Sequence, residues 1–175
     1  KYSLNCAIFN HFLDPKIQSQ IINQALEGKS YWNINFLPYI PDNASFNDLL
    51  NSIDIVLAMS GGEGWGLPEF QAVALGKHCV GLNAHAYKDW MTEENSVLVK
   101  PSGKIPVYDN MFFKEGAPFN QGEIFDWAED DLVSAMKQAE KKFESSALNL
   151  NGIKLQAEFS YTRMTNSIIS IMGSL

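Results

Sequence analysis

The chain has 175 residues, 46% of them hydrophobic, with a net charge of -7 and a pI near 4.9. Those values speak against a nucleic-acid face, which needs clustered Lys and Arg to release phosphate counterions, and no apolar run approaches the roughly 20 residues of a membrane span. Cys6 and Cys79 sit in apolar runs as buried thiols of a reducing compartment do, and His11, His78 and His85 stand apart from any Cys pair, so no metal site is expected.

In chain order, "YSLNCAIF" is a β-leaning run so near the start that it reads as part of a fragment or of an unusually short protein. Asp14 as N-cap, Pro15 at the first helical position and Gly28 past the end bracket a helix whose Ile17, Ile21, Ile22, Ala25 and Leu26 share a face. "WNINFLPYI" alternates like a strand until Pro38, and Ser45 with Asp48 resembles a capping box that opens a second helix. "DIVLAMS" is a continuous apolar run closed by Gly61 and Gly62, the pattern of a strand buried on both faces, and a helix is predicted from Pro68 to Gly76. "HCVGL" and "SVLV" read as two more buried strands with a short helix around Tyr87 to Met91 between them.

Residues 100–127 break the pattern and read as a long loop insertion without elements of its own. "AEDDLVSAMKQAEKKF", with Leu132, Met136 and Ala139 inward and Lys141 and Lys142 solvated, and an amphipathic tail from about Ile153 to Met172 close the chain. Strands that alternate with helices predict an α/β fold, one soluble intracellular domain over 1–175 with a parallel sheet and right-handed crossovers.

The stretch "SGGEGWGLPEFQAVALG" joins a predicted strand to a predicted helix. Its glycines let backbone approach a ligand closely, and amides at the helix start favour phosphate. It lacks the Lys-Ser/Thr pair of a phosphate-binding P-loop, the third glycine of G-x-G-x-x-G and the serine of G-x-S-x-G.

"DIVLAMSGGEGWGLPEFQAVALGKHCVGLN" resembles the donor-binding segment of GT-B glycosyltransferases, above all the large retaining family 4, whose pattern runs E-G-F-G-L-P, two residues, then E-A. Glu63, Gly64, Trp65, Gly66, Leu67 and Pro68 match that run residue by residue, with Trp65 for the usual Phe. "NINFLPYIPDNASFNDLLNSID" and "YTRMTNSIISIM" resemble the family's preceding strand, loop and helix and its terminal helix. The resemblance implies a Rossmann-like doubly wound parallel sheet of about five strands. The family's first strand-helix unit, with its basic diphosphate pair, and the N-terminal acceptor domain have no counterpart here; the remaining strands would take the order 2-1-3-4-5, with the glycine loop at the switch-point crevice.

For the site, the resemblance implies that Gly62, Glu63, Gly64, Trp65 and Gly66 hold donor-sugar hydroxyls, Glu63 being the catalytic-site carboxylate, and that Leu67 faces the diphosphate. Gln71 stands where the family has the Glu that accepts the ribose hydroxyls; it keeps an acceptor oxygen but loses the charge-assisted bond. Glu69 lies about 200° round the helix from Gln71 and is no simple replacement. Tyr39 and Ile40 would offer backbone to the nucleobase, and His85, in place of the family's glycine pair before Asp89, reads as a structural hydrogen-bonder. The implied ligand is a UDP- or GDP-linked sugar, used as substrate without metal or other cofactor. The implied partners are a glycan or lipid-linked acceptor and an N-terminal acceptor domain, in a cytoplasmic protein peripheral at the inner membrane face. Two other readings stay open: a nucleotide-sugar-binding module without transferase activity, and another GT-B enzyme such as an epimerase or phosphorylase.

Overall fold

Parallel pairing of short strands across intervening helices organises this chain. The computed structural model describes residues 2–10, 12–108, 113–119 and 122–174, so His11 lies outside the described residues. The chain, read from its sequence as one domain, divides into two compact units, Lys1–Asn47 and Asp48–Leu175.

In the first unit β1 (Leu4–Cys6) pairs in parallel with β2 (Ile34–Phe36), Leu4 opposite Ile34, and α1 (Pro15–Ala25) connects them. Asp14 caps α1 as expected, its carboxylate accepting the Lys16 amide at 2.7 Å. At the other end Glu27, at φ +53, takes the left-handed position one residue before Gly28, and the amides of Gly28 and Glu27 close on the carbonyls of Asn23 and Gln24. Strands of three residues shelter little, and no described residue of 2–47 is buried.

α2 (Asn43–Ser52) starts ahead of the predicted capping box. Asp42 is its cap: the carboxylate accepts both the amide and the hydroxyl of Ser45 at 2.9 Å, which lowers the Asp42 pKa. An ionised acceptor held by two donors outcompetes the Ser45 hydroxyl for the role.

The second unit is built on a parallel sheet, β3 (Ile55–Ala58), β4 (His78–Leu82) and β5 (Val97–Val99), in that spatial order. All of β4 is buried although its side chains alternate between faces, so both faces are covered, and α3 (Leu67–Ala74) and α4 (Glu129–Ser145) pack on it. α4 turns Ala135 and Ala139 inward, while Met136, expected inward, is 42% exposed. Small residues let the helix backbone approach the sheet, and the thioether is left at the rim.

The fold is therefore α/β with parallel sheets: among the described residues β1 pairs with β2 in the first unit, and β3-β4-β5 form a sheet in the second. The stretch 100–127 is also corrected: it carries an antiparallel pair, β6 (Gly103–Pro106) with β7 (Glu123–Asp126), Lys104 opposite Phe125. The single tail helix is broken into α5 (Leu150–Ile153), α6 (Leu155–Glu158) and α7 (Tyr161–Gly173).

At the amino-terminal end of the β4-β5 sheet, buried Asn149 donates to the carbonyls of Lys77 and Asn95 at 3.1 and 2.7 Å and accepts the Gly152 amide at 3.0 Å. Lys142, read as solvated, instead donates to the carbonyls of Glu93 and Ser96. His78 Nε2 bonds the Ser146 carbonyl at 2.8 Å. These polar groups are spent on joining α4 and α5 to the strands. Both cysteines are free; burial pushes the Cys79 thiol up to about 12 and raises that of half-buried Cys6, so neither carries thiolate at neutral pH. Among the described residues no helix is long and apolar enough to cross a membrane.

Candidate functional site

β3 delivers the chain at its carboxyl end to the glycine loop, and α3 begins at Leu67 immediately after it. Each glycine there has a different surrounding. Gly61 lies flat against β7: its carbonyl accepts the Phe125 amide at 2.8 Å, and a Cβ on it would overlap the Phe125 carbonyl oxygen. Gly66, at φ +74, is the N-cap position of α3, and a Cβ there would overlap the Tyr87 ring. Gly64 has nothing within 4 Å of its would-be Cβ, so at that point the loop faces open space.

The short 3-10 helix His85–Asp89, with Trp90 after it, leaves the carboxyl end of β4 and packs under the loop. His85 Nε2 donates to the Ser60 carbonyl at 2.8 Å, and the Trp90 indole N–H donates to the Trp65 carbonyl at 2.9 Å. The Trp65 ring packs edge-on against Phe70 and Phe159 at 5.6 and 5.3 Å between centroids. Trp65 thus places its ring in an aromatic wall and its backbone in the loop.

Glu69, in the first turn of α3, is half-buried. Burial raises its carboxyl above the ordinary range and the charge of Glu63 adds to the effect, while its own backbone amide and the Tyr87 hydroxyl pull the other way. The Tyr87 hydroxyl and His85 Nδ1 are buried with no described group at full hydrogen-bond distance, and burial together with the carboxylates of Glu69 and Glu63 pushes the Tyr87 ionisation up. One side of the loop is therefore a buried polar cluster and the other is open.

Of the residues singled out in the sequence, Gly62, Glu63, Gly64, Trp65, Gly66 and Leu67 form one continuous rim at the carboxyl end of β3. Gln71 follows one turn into α3, and Glu63, Leu67 and Gln71 are all exposed. Tyr39 belongs to the first unit, where its ring tilts against Phe9 at 5.7 Å. Sequence reasoning missed three contributors: Glu69, set aside because it cannot stand in for Gln71; Trp90; and Lys104, whose Nζ lies 5.0 Å from the Phe125 ring centre on the hairpin that abuts Gly61. The period-two pattern of β6 and β7 was the only signal for Lys104, and four residues per strand make it faint.

Comparison of the sequence with models of known protein families and with curated proteins returned no match.

Two predictions follow from the geometry. Gly66→Ala forces a side chain into the Tyr87 ring from a left-handed backbone and is expected to cost roughly 2 kcal/mol or more in urea unfolding, whereas Gly64→Ala costs less than about 1 kcal/mol. Equal costs would contradict the packing described. Glu69 holds its proton more tightly folded than unfolded, so its contribution is fully present at low pH and is lost as pH rises from the ordinary carboxylate range through its raised value. Glu69→Gln should therefore gain melting temperature relative to the parent as pH rises across that window; a difference that is flat with pH would contradict it.

Proposed function

We propose that this chain is the donor-binding part of a GT-B glycosyltransferase that takes a UDP- or GDP-linked sugar and serves transfer of the sugar to a glycan or lipid-linked acceptor. The observation that carries this reading is the run from Glu63 to Gln71: a carboxylate and a carboxamide eight positions apart, both exposed, flanking a glycine turn and the start of α3 at the carboxyl end of a parallel strand. That is where open α/β sheets bind ligands, and the groups are of the right kind. Glu63 accepts bonds from sugar hydroxyls, the loop amides donate to them, and Gln71 bonds the ribose diol. The amides at the start of α3 face the diphosphate, which carries the charge that develops on the leaving group. The doubly wound order 2-1-3-4-5, a cytoplasmic location and an acceptor-binding partner domain belong to the same proposal.

One observation favours a second reading, a nucleotide-sugar-binding module without transferase activity. The carboxylates of Glu63 and Glu69 interact beside the start of α3, and their field opposes the approach of a diphosphate.

Isothermal titration of the chain with UDP-glucose and GDP-mannose tests the binding step. At least one is expected to bind. Glu63→Ala should weaken it roughly tenfold or more, because charge-assisted bonds are lost, and Gln71→Glu should tighten it by roughly threefold to tenfold. Absence of binding by both sugars, or a Glu63→Ala variant that binds as the parent does, would sink the proposal.

A further inference from the structure

We propose that the turn from His85 to Trp90 is a two-point clamp on the glycine loop, and that Trp90 is a positioning residue for the sugar end of the donor; this deepens, and rests on, the donor-binding reading above. The two ends of the segment Ser60–Trp65 are held by side chains of this one turn, His85 on the Ser60 carbonyl at 2.8 Å and Trp90 on the Trp65 carbonyl at 2.9 Å. Between these bonds lie Gly61, Gly62 and Gly64, whose backbones lose the most conformational freedom on being fixed. A loop of that composition left to itself would have to be ordered by its ligand, and the cost would be subtracted from affinity. The clamp orders it beforehand.

The bond at Trp65 also sets a direction. In a trans peptide the carbonyl of one residue and the N–H of the next point opposite ways. The Trp65 carbonyl is turned onto the indole, so the Gly66 N–H in the same peptide plane points away from it. Trp90 itself is fixed. It is 2% exposed, edge-on to Phe70 and Tyr87 at 5.5 and 5.9 Å, and its own carbonyl accepts the side-chain amide of Asn95 at 2.8 Å. At the other end His85 adopts φ +39, a left-handed backbone that disfavours residues with a side chain, and its ring is tilted against that of Tyr87 at 4.5 Å between centroids while its Nε2 holds Ser60. Strain of this kind persists only where the surroundings over-determine it.

Trp90→Phe keeps an aromatic ring in the core and deletes the N–H. The full chain and this variant are titrated with UDP-glucose and GDP-mannose, and with UDP and GDP, which lack the donor sugar. The expected result is a loss of roughly tenfold in affinity for the sugar nucleotide that the parent binds, with the matching diphosphate changed by less than about twofold. Equal affinity of parent and variant for the sugar nucleotide overturns the clamp and leaves the donor-binding reading standing. So does an equal loss for sugar nucleotide and diphosphate, which is what general loosening of the fold would give. A parent chain that binds none of the four overturns the donor-binding reading and this inference with it. Hydrogen exchange of the Trp90 indole N–H in the parent gives a second readout that does not depend on the variant folding. It should slow when the sugar nucleotide is added and not when the diphosphate is, and identical exchange in both overturns the proposal.

Discussion

The missing side chain at Gly66 is the constraint on which the site depends. Because no Cβ stands there, the Tyr87 ring packs directly beneath the start of α3, and the turn that carries Tyr87 comes close enough for His85 and Trp90 to reach loop carbonyls. Trp90 then joins the aromatic set of Phe70, Trp65 and Phe159, which ties the loop to α3 and to the residue that follows α6. A glycine that reads in the sequence as room for a ligand thus serves first as room for a tyrosine. Gly61 is similar, since it admits β7. Gly64 is the glycine of the run that is left facing outward.

Much of the second unit was legible because its strands obey strong rules. "HCVGL" is apolar without alternation and buried throughout, as a strand covered on both faces is, whereas "DIVLAMS" gives β3 at the edge of the sheet, fully buried only at Ala58. Pro68 and Gly76 bracket α3 as the asymmetry of helix ends predicts, Gly76 amide closing on the Val73 carbonyl. Where the reading failed, a competing local interaction won. Asp42 displaced Ser45 as cap because a carboxylate binds two donors better than a hydroxyl binds one. Ala135 rather than Met136 faces the sheet because helix-on-sheet contact at close range selects for small residues. The hairpin inside 100–127 was hidden by strands of four residues set among prolines and glycines, and the tail broke at Phe159 and Ser160, where Ser160 caps the Arg163 amide.

The site itself was half legible. Gly62, Glu63, Gly64, Leu67 and Gln71 are exposed beside the start of α3, while Gly66 is buried. What holds the rim in place comes from residues remote in sequence, His85, Tyr87, Trp90 and Phe125, and no local pattern announces such contacts. Electrostatics add a tension that only the fold reveals. Glu69 is drawn into partial burial near Glu63, which raises its carboxyl above the ordinary range, and Gln71 spares the first turns of α3 a further carboxylate.

On the proposed reading the open side of the glycine loop is a ligand site, and the opposite, amino-terminal end of the sheet is scaffolding. Amide NMR of the full 15N-labelled chain, recorded while UDP-glucose or GDP-mannose is added, measures this residue by residue. Shifts centred on Glu63, Gly64, Gly66 and Leu67 are expected, with the amides around Asn95, Asn149 and Gly152 unmoved. Shifts centred on the Asn149 network, or a spectrum that does not change with either sugar nucleotide, would contradict it.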